Sequence, residues 1–126
     1  MTYIDTNFLM RLMTNDVPSQ TITAVQIVSQ YGTDDITILD SVLSELFFVL
    51  EFQPMYKLPR NEIVGRFRGL IAATPQFKLL PATVDSFNLY ANSPKLDYTD
   101  CLLATSADMR QANVLTFDKD LQKILT

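Results

Sequence analysis

Apolar residues along the chain fall into two kinds of segment, short runs and helically spaced sets, and these alternate. Met1 to Ile4 is a short apolar run ending at Asp5 and the turn residues Thr6-Asn7, which predicts a first strand. Phe8, Leu9, Leu12 and Met13 recur at helical spacing, and Asn15-Asp16 before Pro18 stop that helix. Ile22, Val25, Ile27, Val28 and Tyr31 predict a second helix from Pro18, ended by Gly32. Ile36 to Leu39 reads as a second strand. The next helix, Ser41 to Phe52, has Asp40 or Ser41 as its cap. Its Val42, Leu43, Leu46, Phe47, Val49 and Leu50 are apolar nearly all round, which predicts burial on most sides.

Pro54 closes that helix, and Pro59 opens a fourth that runs through Ala73. Phe77 to Leu80 predicts a third strand, Thr83 to Asn92 a helix, and Ser93-Pro94 a break. Tyr98 to Ala112 follows as a helix with Leu102, Leu103 and Ser106 to Met109 on its inner side. Val114 to Thr116 predicts a fourth strand and Lys119 to Leu125 a last helix. Strands alternating with helices imply a three-layer α/β fold, a parallel sheet covered by helices on both faces. A chain of 126 residues has room for a single domain, taken as 1–126.

Composition narrows the chemistry. The sequence has no His, no Trp, one Cys and three Gly. Without His there is no imidazole base, no His metal ligand and no Ser/His/Asp or Cys/His triad. The lone Cys101 excludes disulfide frameworks and reads as a small core residue. Gly32, Gly65 and Gly69 form neither a dinucleotide fingerprint nor a Walker loop. Asp5 and Arg11 within the first apolar stretch argue against a signal peptide, and the chain reads as cytoplasmic, with no membrane span.

A net charge of −4 counts against a nucleic-acid partner on average, but the charge is uneven. Lys57, Arg60, Arg66, Arg68 and Lys78 lie between Pro54 and Val84, where Glu62 is the single acid. That stretch is either a solvated helix face or an edge that contacts a nucleic-acid backbone or a partner.

Ligands of open parallel sheets bind beyond the carboxyl ends of the strands. Asp5 follows the first strand, Asp40 the second, and Asp118 the predicted fourth. Asp97 and Asp100, spaced i, i+3, start a helix, and Glu45 sits among Leu43, Leu46, Phe47 and Phe48. A carboxylate buried there needs a positive partner. No Lys or Arg is an obvious local partner for these acids; Arg11, two turns along the first helix from Asp5, is the candidate considered. Converging carboxylates without cations repel one another, and a divalent ion such as Mg²⁺ or Mn²⁺ resolves that conflict. Such an ion activates a water for phosphodiester hydrolysis. Capping of helices is the plainer account of Asp40, Asp97 and Asp118.

Four segments, at the start, the middle and the end of the chain, resemble one family. Ile4-Asp5-Thr6-Asn7-Phe8-Leu9-Met10-Arg11-Leu12 is similar to the opening of PIN-domain ribonucleases, specifically VapC-type toxins of toxin–antitoxin pairs. Val42-Leu43-Ser44-Glu45-Leu46 resembles the helix that carries that family's acid. Leu96-Asp97-Tyr98-Thr99-Asp100-Cys101-Leu102-Leu103-Ala104 resembles its "DFADALIA" stretch, and Leu115-Thr116-Phe117-Asp118-Lys119-Asp120-Leu121 its "TFDKDF". The resemblance covers Met1 to about Leu121. It implies a PIN-like fold, but where members often continue into a further edge strand this sequence stops straight after Ile124-Leu125, so about four parallel strands are expected, the fifth missing or vestigial. It also implies a metal site of Asp5, Glu45, Asp100 and Asp118 with Asp97 accessory, and Thr6, Asn7 and Thr116 beside it. Arg11, Lys57, Arg60, Arg66 and Arg68 become candidate RNA or partner contacts.

The implied function is a Mg²⁺- or Mn²⁺-dependent endoribonuclease toxin, acting on RNA as a homodimer and held by a cognate antitoxin. The rival expectation is a PIN-fold RNA- or protein-binding regulatory module with little nuclease activity.

Overall fold

Three short extended segments pair in parallel: β1 (Thr2–Tyr3), β2 (Ile36–Ile38) and β3 (Phe77–Leu79), in the order β1-β2-β3. Thr2 lies opposite Ile36, while Ile36 and Ile38 lie opposite Phe77 and Leu79. The middle strand buries Ile36 and Ile38. Parallel neighbours cannot be joined by tight hairpins, so each connection carries helices. Between β1 and β2 run α1 (Thr6–Met13) and α2 (Pro18–Val28), and between β2 and β3 run α3 (Asp40–Phe52) and α4 (Arg60–Ala73). The computed structural model describes residues 1–125. Thr126, and with it the expectation that no fifth strand follows, lies outside them. The chain divides into two compact units, Met1–Leu79 and a second that begins at Leu80.

The core of the first unit is aliphatic and aromatic. Leu9, Ile38, Leu43, Leu46, Phe47, Ile63 and Phe67 are fully buried, and Phe47 meets Phe67 edge-on with ring centroids 5.7 Å apart. Helix α3 corrects one expectation. It buries the i, i+3, i+4, i+7 stripe Leu43, Leu46, Phe47 and Leu50. Its other side stays in solvent, with Phe48 58% and Phe52 51% exposed. Apolar residues all round did not mean burial all round, because only one stripe of the helix faces this unit's core.

Two ends also differ from the periodicity. Helix α2 stops at Val28, and the turn bonds Gln30 N–H to Ile27 O and Tyr31 N–H to Val28 O carry the chain on to Gly32. Neither Asp40 nor Ser41 caps α3. Leu39 holds that place without a side-chain bond, and Asp40 is already helical.

The second unit consists of α5 (Pro81–Asn92), α6 (Tyr98–Arg110) and α7 (Lys119–Leu125). Tyr98 joins the first two: its ring stacks on Phe87 at 6.4 Å and meets Tyr90 edge-on at 5.5 Å. Its hydroxyl shares a 2.8 Å hydrogen bond with the buried Ser86. Helix α6 turns inward Cys101, Leu102, Ala104 and Ala107, so the expected inner positions Leu103 and Met109 are instead exposed. It ends where Gln111 takes a left-handed conformation, φ 53°. The predicted fourth strand does not form: Val114 to Thr116 has no regular structure, so the described residues hold three strands. Leu115 and Phe117 are fully exposed, so the apolar face they would present as a strand meets no neighbour that could complete a ladder. Leu121, 1% exposed, anchors α7.

Candidate functional site

The first unit places two acids through consecutive residues. Ile4 is buried at the end of β1, and the chain turns outward at Asp5, whose extended backbone starts α1. The Asp5 carboxylate caps that helix, its Oδ1 accepting the Phe8 N–H at 2.8 Å. The next residue, Thr6, is buried and donates its hydroxyl to Oε2 of Glu45 at 2.9 Å. Glu45 corrects the sequence reading. It stands on the exposed side of α3 with a hydroxyl for a partner, so it carries no burial cost that a cation must offset.

Arg11 does not partner the acids. Its Nε donates to Oε1 of Gln20 at 2.6 Å, and its carbonyl accepts the Thr21 hydroxyl at 2.8 Å. Asp5, Asn7, Phe8, Arg11, Gln20, Thr23 and Ala24 line a cleft of about 480 Å³ between α1 and α2. Sequence reasoning missed Gln20 and Thr21. A polar helix residue carries no periodic signal that it will face an arginine.

The second unit places three acids. Asp97 caps α6, its Oδ1 accepting the Asp100 N–H at 2.8 Å. Asp118 Oδ1 accepts the N–H groups of Asp120 at 2.9 Å and Leu121 at 3.0 Å, opening α7. The Thr116 hydroxyl in turn accepts the Asp118 N–H at 3.0 Å, and the Thr116 carbonyl takes the side-chain amide of Gln122. The capping expectations for Asp97 and Asp118 therefore hold, and capping leaves their second oxygens for other work.

Asp100 shows what this arrangement does electrostatically. Partial desolvation, then the charges of Asp97 and Asp118, push its carboxyl above the usual aspartate range, and a hydrogen bond with Asp97 adds to the effect. The groups that perturb it include no base. An all-oxygen set whose members repel one another suits a hard divalent cation. Among the described residues no group of three or more acids or cysteines already stands at metal-ligating spacing.

The basic stretch is partly committed to structure. Arg60 pairs with Glu51 at 2.9 Å, their side chains 9% and 20% exposed, and Arg66 pairs with Glu62 one turn away at 2.7 Å. Lys57 and Arg68 are exposed, Lys57 in a left-handed conformation with φ 45°. No helix among the described residues is long and apolar enough to cross a membrane.

Comparison with known proteins bears on these observations. A family model described as PIN domain matches residues 2–125. No curated protein and no solved structure gives a significant match. A parallel α/β chain with acids after β1 and at the starts of α6 and α7, matched over residues 2–125, belongs to the PIN domain family.

Proposed function

We propose that the protein is a metal-dependent endoribonuclease, the toxin of a type II toxin–antitoxin pair of the VapC kind, acting in the cytoplasm. In this reading its two units work as one PIN domain. Asp5, Glu45, Asp100 and Asp118 hold Mg²⁺ or Mn²⁺, with Asp97 accessory. The observation that carries the reading is the crowding of Asp100 by the charges of Asp97 and Asp118, with no base among the groups that act on Asp100. A bound divalent ion would supply a lowered pKa for the attacking water and stabilisation of the charge on the leaving oxygen.

The chain's own residues do the rest. One of the carboxylates orients the attacking water and accepts its proton, a role that no imidazole can take in a chain without His. Thr6 fixes the Glu45 carboxylate, and Thr116 fixes the turn that presents Asp118. A homodimer and a cognate antitoxin complete the proposal, on the strength of the motif resemblance.

Induced expression in a bacterial host tests it. The wild-type chain is expected to arrest growth and fragment RNA, and Asp5→Asn is expected to do neither. Equal growth with both, at equal protein levels, contradicts the toxin reading.

A further inference from the structure

The cleft between α1 and α2 holds an arginine that the protein itself leaves half engaged. Arg11 is half-buried, and its Nε is fixed by Gln20 Oε1 at 2.6 Å. Among the described residues it has no carboxylate within ion-pairing distance, and its terminal nitrogens have no hydrogen-bond partner. An arginine offers five N–H donors in a flat fork, so anchoring Nε leaves the outer pair oriented and available. Thr21, bonded to the Arg11 carbonyl at 2.8 Å, ties the same turn of α1 to α2. The guanidinium is therefore held in place from the α2 side without being neutralised.

Its location gives it a use. Arg11 and Asp5 line one cleft of about 480 Å³, with the Asn7 side chain beside them. Arg11 lies six positions beyond Asp5, the cap of α1, a rise of about 9 Å. We infer that Arg11 grips a backbone phosphate of the substrate strand next to the one being cut, presented by Gln20 as a fixed two-pronged donor. This rests on the nuclease reading above and adds a substrate-binding residue to it. The chemistry recognised is a phosphate diester of a single-stranded nucleic acid. Oriented pairs of N–H donors match two phosphate oxygens, and the charge offsets the acidity of a groove that otherwise repels phosphate.

Salt-dependent binding tests this without relying on catalysis. The probe is a fluorescein-labelled, mixed-sequence 12-nucleotide single-stranded RNA, titrated in EDTA at several KCl concentrations. For single strands each phosphate contact adds about 0.7 to the slope of log affinity against log salt. Arg11→Gln is expected to weaken binding roughly tenfold at low salt and to flatten that slope by about 0.7. Arg11→Lys keeps the slope but recovers only part of the affinity, because a point charge replaces the fork. Gln20→Glu, which sets a carboxylate against the guanidinium, is expected to act like Arg11→Gln. Thermal melting within a few degrees of wild type establishes that each variant folds.

Unchanged affinity and slope in folded Arg11→Gln overturn the inference and leave the nuclease reading standing, provided the wild type cleaves RNA when Mn²⁺ is added. A wild-type chain that neither binds nor cleaves RNA overturns both.

Discussion

The Thr6 hydroxyl donates to Oε2 of Glu45 at 2.9 Å, joining residues 39 positions apart. Thr6 directly follows Asp5, so the residue that buries the start of α1 also orients an acid of α3. Thr6→Val keeps the side chain's shape and removes that donor. Groups that orient a metal ligand typically contribute ten- to a hundredfold in activity or metal affinity, while a single hydrogen bond contributes about 1 kcal/mol of stability. The expected result is RNA cleavage reduced at least tenfold, with a melting temperature only modestly lowered. Single-turnover cleavage alongside a thermal melt measures both.

Asp5 has two jobs that substitution can separate. As a cap it accepts the Phe8 N–H at 2.8 Å, and Asn serves that position about as well as Asp. As a proposed metal ligand it needs its charge. Asp5→Asn is thus expected to lose cleavage at nearly unchanged stability, whereas Asp5→Ala loses cleavage and about 1 kcal/mol besides. Urea denaturation of the two variants distinguishes the roles.

Asp100 makes stability depend on pH in a defined direction. Its folded pKa is raised, first by desolvation and then by Asp97 and Asp118, so the folded chain holds this proton to higher pH than the unfolded chain does. The metal-free protein therefore loses stability as pH rises from the ordinary aspartate range through the raised folded value. Below that window the destabilisation is absent. Asp100→Asn is expected to be more stable than wild type above the window and to converge with it below. Urea denaturation in EDTA at a series of pH values checks this, and Mn²⁺ is expected to reverse the order at neutral pH.

Arg60 offers a contrast within the basic stretch. Its pairing with Glu51, side chains 9% and 20% exposed, makes it part of the fold's interior. Arg60→Ala is expected to cost about 2 kcal/mol and to leave the salt slope of RNA binding unchanged. Arg66→Ala breaks a pair whose side chains are 47% and 42% exposed, and is expected to cost well under 1 kcal/mol. Denaturation midpoints measure each.

What the sequence made legible follows from how each feature is determined. Positions set by local chemistry could be read: Asp97 and Asp118 as caps, Pro18 at a helix start, the short β-branched run at Ile36–Ile38. Positions set by tertiary neighbours could not. Burial on most sides of α3 was expected because hydrophobicity alone does not say which stripe of the helix meets the rest of the unit, and Phe48 is exposed. Glu45 looked buried for the same reason, and its hydroxyl partner lay too far along the chain to anticipate. Val114 to Thr116 has strand-like residues, but a strand exists only where a neighbour completes its ladder. Strand ends and motifs singled out the acids as candidates, while the Arg11–Gln20 bond left no trace in the pattern.

The central claim is that these carboxylates act through a divalent ion to cut RNA. The most direct measurement is cleavage of a labelled single-stranded RNA by purified wild type and Asp100→Asn, each with Mn²⁺ and with EDTA. The account predicts cleavage by wild type with Mn²⁺ alone, and a loss of at least a hundredfold in Asp100→Asn although it remains folded. Cleavage by Asp100→Asn at the wild-type rate, or by wild type equally well in EDTA, would contradict it.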